Sequence, residues 1–236
     1  MVTPATIILL GFFLGMRHAL DPDHVIAVST IVSRERSLGR ATLIGGLWGI
    51  GHSVTIVIIG GAIVISRLVL PPAAGAAMEL AVAAMLIVLG VQNLRAIGFH
   101  RHGDYIHHHE AEHHHADEQT PLARIDRLFL GLTPYQRVRP IVVGVIHGLA
   151  GSAAVALLIV PAIGSHVLAA TYLGVFGAGT IIGMMLMTCA IATPVVYAHR
   201  RFAPLERKLA VGFSLASIGF GLFLGLQAGW PGVFLH

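Results

Sequence analysis

Six predominantly apolar runs, at about residues 4–32, 40–65, 74–96, 139–162, 166–198 and 206–229, leave this chain little choice of fold. Each reaches or exceeds the roughly 20 residues that a helix needs to cross the hydrocarbon core of a bilayer. The expectation is an all-α, polytopic membrane protein of about six transmembrane helices, retained in the plasma (inner) membrane. Composition agrees: 56% of the 236 residues are hydrophobic and only 11% are charged, against about 25% charged in soluble domains. The net charge of +4 does not point to nucleic acid, because the basic residues sit between the apolar runs rather than along one face. The single Cys189 lies inside an apolar run, which excludes a disulfide framework and a cysteine-based zinc knuckle. Residues 1–10 lack the basic opening of a cleaved signal peptide and lead straight into the first run, so they are expected to stay as part of a spanning helix.

Charge then orients the spans. Arg34, Arg36 and Arg40 follow the first run, Arg95, Arg101, Arg124, Arg127, Arg137 and Arg139 flank the loop after the third, and Arg200, Arg201, Arg207 and Lys208 precede the sixth. The opposite side holds only Arg67. By the positive-inside rule the odd loops are cytoplasmic and both termini lie outside.

The two halves resemble each other. Gly15-Met16-Arg17-His18-Ala19-Leu20 aligns with Gly144-Val145-Ile146-His147-Gly148-Leu149, and the segment from Gly46 to His52 aligns with Gly174 to Thr180. Leu80-Ala81-Val82 through Gly90 aligns with Leu209-Ala210-Val211 through Gly219 at nearly the same offset. A three-span repeat must reverse its orientation, which places a pseudo-two-fold axis in the membrane plane. The division expected is 1–98 as one repeat, 99–138 as a cytoplasmic loop with an interfacial segment, and 139–236 as the second repeat. Chance similarity between glycine-rich apolar helices is the alternative.

Inside the first run stands Arg17-His18-Ala19-Leu20-Asp21-Pro22-Asp23-His24. Charged groups at bilayer depth cost about 2.5 to 3.5 kcal/mol each on insertion scales, so such a cluster is read as functional. Pro22 has no N–H to give the carbonyl of His18, so the first span is expected to break there. On an unbroken helix His18, Asp23 and His24 would not share a face; a break lets them converge. His52, in Gly49-Ile50-Gly51-His52-Ser53, is the obvious additional ligand. Two or three imidazoles with a carboxylate suit nickel, cobalt or zinc better than magnesium, calcium or copper(I).

Other polar positions carry two readings each. His147 occupies the repeat position of His18 without the following carboxylates, and is either a pathway ligand or a buried structural histidine. Arg17 is expected to neutralise Asp21 or Asp23 when the site is empty. Met184, Met185, Met187 and Cys189 are packing material or, alternatively, a soft copper(I) path. Gln92 and Asn93 are expected to bond across helices. Residues 99–119 hold His107, His108, His109, His113, His114 and His115 among acids, and read as a metal-buffering loop or as a solvated linker. Residues 122–136 read as an interfacial segment.

His18-Ala19-Leu20-Asp21-Pro22-Asp23-His24 resembles the H-x-x-x-x-D-H signature of the nickel/cobalt transporter family, whose usual form is close to R-H-A-x-D-A-D-H. Gly51-His52-Ser53-Val54-Thr55 is similar to that family's second, Gly-His-Asp-Thr type signature, with Ser53 in place of the aspartate. The serine and the His-rich loop look more like the short branch of urease-accessory membrane proteins and nickel/cobalt exporters. The resemblance implies transport of nickel or cobalt, inward or outward, with His18, Asp23 and His24 required and Asp21 supporting. It implies no tightly bound cofactor, since Ni2+ or Co2+, with Zn2+ also admitted by the ligand chemistry, is cargo.

Two other classes compete. An intramembrane metalloenzyme would use the same ligands to activate water, but no His-Glu-x-x-His, Gly-x-Ser-x-Gly or phosphate-binding Gly-Lys-Ser/Thr segment occurs. A membrane partner that delivers metal for urease or hydrogenase maturation would dock a metallochaperone on the His-rich loop. The leading expectation is a secondary transporter that rocks its halves around a midplane ion, with proton exchange as the coupling.

Overall fold

The computed structural model describes residues 3–66, 72–99, 134–149, 163, 165–201 and 203–229, and all of the regular structure among them is helical. In chain order the helices are α1 (Pro4–His18), α2 (Pro22–Val32), α3 (Leu38–Ser66), α4 (Pro72–Phe99), α5 (Pro134–Gly148), α6 (His166–Arg201) and α7 (Ala203–Gly229). Four of them, α3, α4, α6 and α7, are long and apolar enough to cross a membrane; α1, α2 and the described part of α5 are shorter apolar helices. Residues 100–133, with all six loop histidines, and 150–162 lie outside the described residues.

The first apolar run is two helices, and the reason is local. Pro22 cannot donate to the His18 carbonyl, which accepts the Asp21 N–H at 3.1 Å instead, closing a tight turn over Ala19 and Leu20. Asp21 then takes the N-cap position with extended ψ of 143°, and Pro22 opens α2 at N1, where a missing N–H costs nothing. By contrast α6 runs unbroken through Pro194. One residue earlier Thr193 donates its hydroxyl to the Cys189 carbonyl at 2.8 Å.

Helix α6 packs along both α1 and α3, α3 packs also along α5, α4 pairs with α7, and α2 lies against α6, α7 and α4. Close backbone approach at glycine makes these contacts. A Cβ on Gly51 would strike the Ile141 carbonyl, and one on Gly179 the Phe12 carbonyl. Because both obstacles are backbone, neither can swing aside. Gly51→Val is therefore expected to cost about 2–3 kcal/mol by forced separation of α3 from α5. That should appear as a fall of roughly 4–12 °C in Tm. An unchanged Tm would contradict the close packing.

Polarity is inverted relative to a soluble domain. Phe13, Ile58 and Val167 are 62%, 64% and 78% exposed, while His24, His52, His147, Thr180, Thr188, Ser214 and Ser217 are buried. An outside of this kind is stable against lipid tails, and the inside is held by interhelical hydrogen bonds. Asn93 on α4 donates to the hydroxyls of Ser33 and Ser214 at 2.9 Å each, Thr30 to the Phe213 carbonyl at 3.1 Å, and Ser217 to the Leu86 carbonyl at 2.8 Å. Gln92 accepts from Arg139 at 3.3 Å, so both amides bond across helices. Met184 and Met187 are buried in the main core with Trp48, Val28 and Leu86, which is the packing role. Beyond the end of α2 a cavity of about 550 Å³ is lined by Thr30, Arg34, Glu35, Gln92, Asn93 and Arg139, among others. Burial there pushes the Glu35 carboxyl up, against the pull of Arg40 at 3.9 Å.

Candidate metal centre

Four helices bring one polar group each, or two, to a single buried place. The turn after α1 sets the first. His18 stands at the last position of α1, and its Nδ1 lies 2.8 Å from Oδ2 of Asp21, the N-cap of α2. A carboxylate on one ring nitrogen fixes the tautomer and aims the other. That other nitrogen, Nε2, lies 2.8 Å from Nε2 of His52 on α3.

Asp23 follows in the first turn of α2, where the helix N-terminus favours an anion. Its Oδ1 accepts from the His24 backbone N–H and lies 3.0 Å from His24 Nδ1, while its Oδ2 lies 2.8 Å from His147 Nε2 on α5. Thus Asp23 spans the gap between the second helix of the chain and the fifth. His24 occupies the centre, with ring centroids 4.8 Å from His18, 4.9 Å from His52 and 4.2 Å from His147.

Two sets of three ligating atoms result, His18 with His24 and His52, and Asp23 with His24 and His147, the atoms of each set lying within 4.8 Å of one another. Nε2 of His24, Nδ1 of His52 and Nδ1 of His147 are buried and have no hydrogen-bond partner among the described residues. A buried polar atom without a partner costs about 1–3 kcal/mol, so each of these nitrogens is a group that a bound ligand would relieve.

All six residues singled out in the membrane-embedded sequence therefore meet here. One further expectation needs correction. Arg17 is exposed, and the partners of Asp21 and Asp23 are imidazoles: one position before His18, its side chain leaves α1 about 100° away from the interior face. Ser53 does not face the cluster, since its hydroxyl donates to the Gly177 carbonyl on α6 at 3.1 Å. A residue that sequence reasoning passed over is Trp48, whose indole stacks on His24 at 5.8 Å and meets His147 edge-on at 5.5 Å. The signal was its position one turn before His52 on the same helix face.

Helices that turn their apolar sides outward around buried imidazoles and a carboxylate define a class: a polytopic membrane protein whose interior offers nitrogen and oxygen donors to a transition metal. Residues 5–227 match the model of the NicO family, the high-affinity nickel-transport proteins, and the chain belongs to that family. It is 36% identical over 196 residues to the urease accessory protein UreH of Bacillus sp. (strain TB-90), covering 83% of this chain and 80% of that one. A shorter stretch of 51 residues, 21% of this chain and 14% of the relative, is 39% identical to the high-affinity nickel transport protein of Cupriavidus necator. The chloroplast protein FOR GROWTH AND FERTILITY 2 of Arabidopsis thaliana is 26% identical over 215 residues, 90% of this chain and 54% of that protein. No solved structure matches the chain significantly.

Proposed function

We propose that this chain carries a divalent transition-metal ion, nickel or cobalt, across the plasma membrane. The ion is held by His18, Asp23, His24, His52 and His147, with Asp21 orienting His18. The observation that carries the reading is the buried convergence of these donors with three unpartnered ring nitrogens. Mixed imidazole and carboxylate ligation suits Ni2+, Co2+ or Zn2+ over hard cations.

The bundle is read as six spans in two inverted three-helix repeats, 1–98 and 139–236, with 99–138 between them. The packing supports this. Exchanging the first and fourth spans and the second and fifth turns the α1–α6 contact into the α3–α5 contact, and both exist; α3–α6 and α4–α7 map onto themselves. The same exchange relates individual atoms. A Cβ on Gly15 would meet the Phe176 carbonyl and Thr180 amide, and one on Gly144 the Trp48 carbonyl and His52 amide, which are the aligned partners. His18 beside Phe176 at 5.7 Å likewise corresponds to His147 beside Trp48 at 5.5 Å. Related halves around a central ion site are the architecture of alternating access. In this reading the odd loops are cytoplasmic, both termini outside, and His107, His108, His109, His113, His114 and His115 buffer metal on the cytoplasmic side.

The relative named as a urease accessory protein supports a second reading, in which the chain supplies nickel for urease maturation through a cytoplasmic metallochaperone. One measurement separates the two: radioactive nickel flux into proteoliposomes that contain this protein alone. Flux well above that of empty vesicles is expected. Nickel binding without flux would favour delivery through an obligatory partner, and neither binding nor flux would overturn both.

A further inference from the structure

We propose that the cargo ion occupies two successive positions in this cluster, handed across the His24 ring from His18, His24 and His52 to Asp23, His24 and His147. This rests on the reading of the chain as a divalent-metal carrier and adds a pathway within it.

The two ligand sets share His24 and nothing else. Within the first, His18 Nε2 and His52 Nε2 are already 2.8 Å apart; within the second, Asp23 Oδ2 and His147 Nε2 are 2.8 Å apart. The ring of His24 adjoins both pairs, its centroid 4.9 Å from that of His52 and 4.2 Å from that of His147, and its two nitrogens are differently engaged. Nδ1 faces Asp23 at 3.0 Å, on the side of the second set, while Nε2 is buried without a partner among the described residues. An imidazole can offer one nitrogen to each side, so an ion leaving the first position exchanges ligands while His24 stays within reach.

The sets differ in charge as well as place. The first is all imidazole, whereas the second contains the carboxylate of Asp23, so a divalent ion gains a formal counter-charge as it advances. Two ions at once would set two double positive charges around one imidazole with Asp23 as the sole carboxylate of either set. Occupancy therefore alternates. Splitting a ligand shell into overlapping weaker ones also meets the general demand on a conduit, that binding admit the ion yet release it.

The repeat explains the composition of the second set. His147 stands where His18 stands in the first half, but Thr180 occupies the place of His52. The missing third imidazole is replaced across the interface by Asp23 of α2. As a result the first position is built from α1, α2 and α3, and the second joins α2 to α5, the opposite half.

The test uses Co2+ as probe, because its visible absorption reports the donor set, together with nickel flux in proteoliposomes. Purified protein in which the six loop histidines, His107, His108, His109, His113, His114 and His115, are replaced by asparagine, so that Co2+ reports on the buried cluster alone, is expected to bind one Co2+ in detergent, and the further variants are made in that background. His52→Ala and His147→Ala should each still bind one Co2+, with spectra that differ from one another, the first oxygen-containing and the second nitrogen-only. Flux should fall about 10- to 100-fold in each, and the double variant should bind none. His52→Gln and His147→Gln replace the alanine variants where Tm shows that these have unfolded. Loss of Co2+ binding in either folded single variant, identical spectra in the two, or two Co2+ bound by the parent protein would overturn the two-position pathway while leaving the carrier reading in place. Wild-type protein with neither Co2+ bands nor flux would remove the carrier reading itself.

Discussion

His24→Ala is expected to reduce nickel flux by at least about 100-fold, more than any other single substitution in the cluster. His24 is the one residue common to both ligand sets, so its loss leaves two donors on each side. Its ring is fully buried, stacked on Trp48 at 5.8 Å, and flanked by three other imidazoles. Removing it also opens a cavity and deletes the 3.0 Å contact with Asp23, at a stability cost of about 2–3 kcal/mol. Flux and Tm must therefore be measured on the same preparation. A folded His24→Ala protein that still moves nickel at the wild-type rate would end the assignment of the site.

Asp23→Asn should lower flux by about 100-fold and leave the fold as stable as before, or slightly more so. The substitution preserves shape while removing the negative charge from the second ligand set. In the metal-free protein a mostly buried carboxylate carries a desolvation penalty, which the neutral amide relieves. For a residue kept for structure the same change would destabilise; for a residue kept for a cation it costs function alone. Asp21→Asn offers the comparison. With its side chain 36% exposed and acting through His18, it should cost flux only about tenfold. Equal losses for the two aspartates, or a collapse of Tm in Asp23→Asn, would contradict these roles.

Much of this was legible because it depends on local chemistry. The missing N–H of Pro22 announces the break, and the turn that replaces it hands the His18 carbonyl to Asp21. The signature from His18 to His24 carries the family resemblance, and the family match extends it over residues 5–227. Crossing lengths were less legible: only α3, α4, α6 and α7 reach spanning length as single helices among the described residues. The first run divides its length between α1 and α2, and hydropathy does not count the residues lost to a turn. Arg17 misled because its i, i+4 spacing suggested pairing with Asp21, whereas the turn over Ala19 and Leu20 ends the helix between them and Asp21 meets His18 instead.

Hydropathy, proline stereochemistry and the positions of ionisable residues are properties of the chain in one dimension, and they determined that this protein is a helical membrane protein with a broken first segment carrying histidines and aspartates. Which imidazole meets which depended on how α1, α2, α3 and α5 rotate and how closely glycine lets their backbones approach. His147 lies 124 residues from Asp23 and touches it at 2.8 Å. No local rule reaches that far, since contacts between distant helices are set by the packing of whole surfaces. Tertiary structure alone therefore decided that His24 is shared, that Trp48 walls the site and that His147 completes its second side.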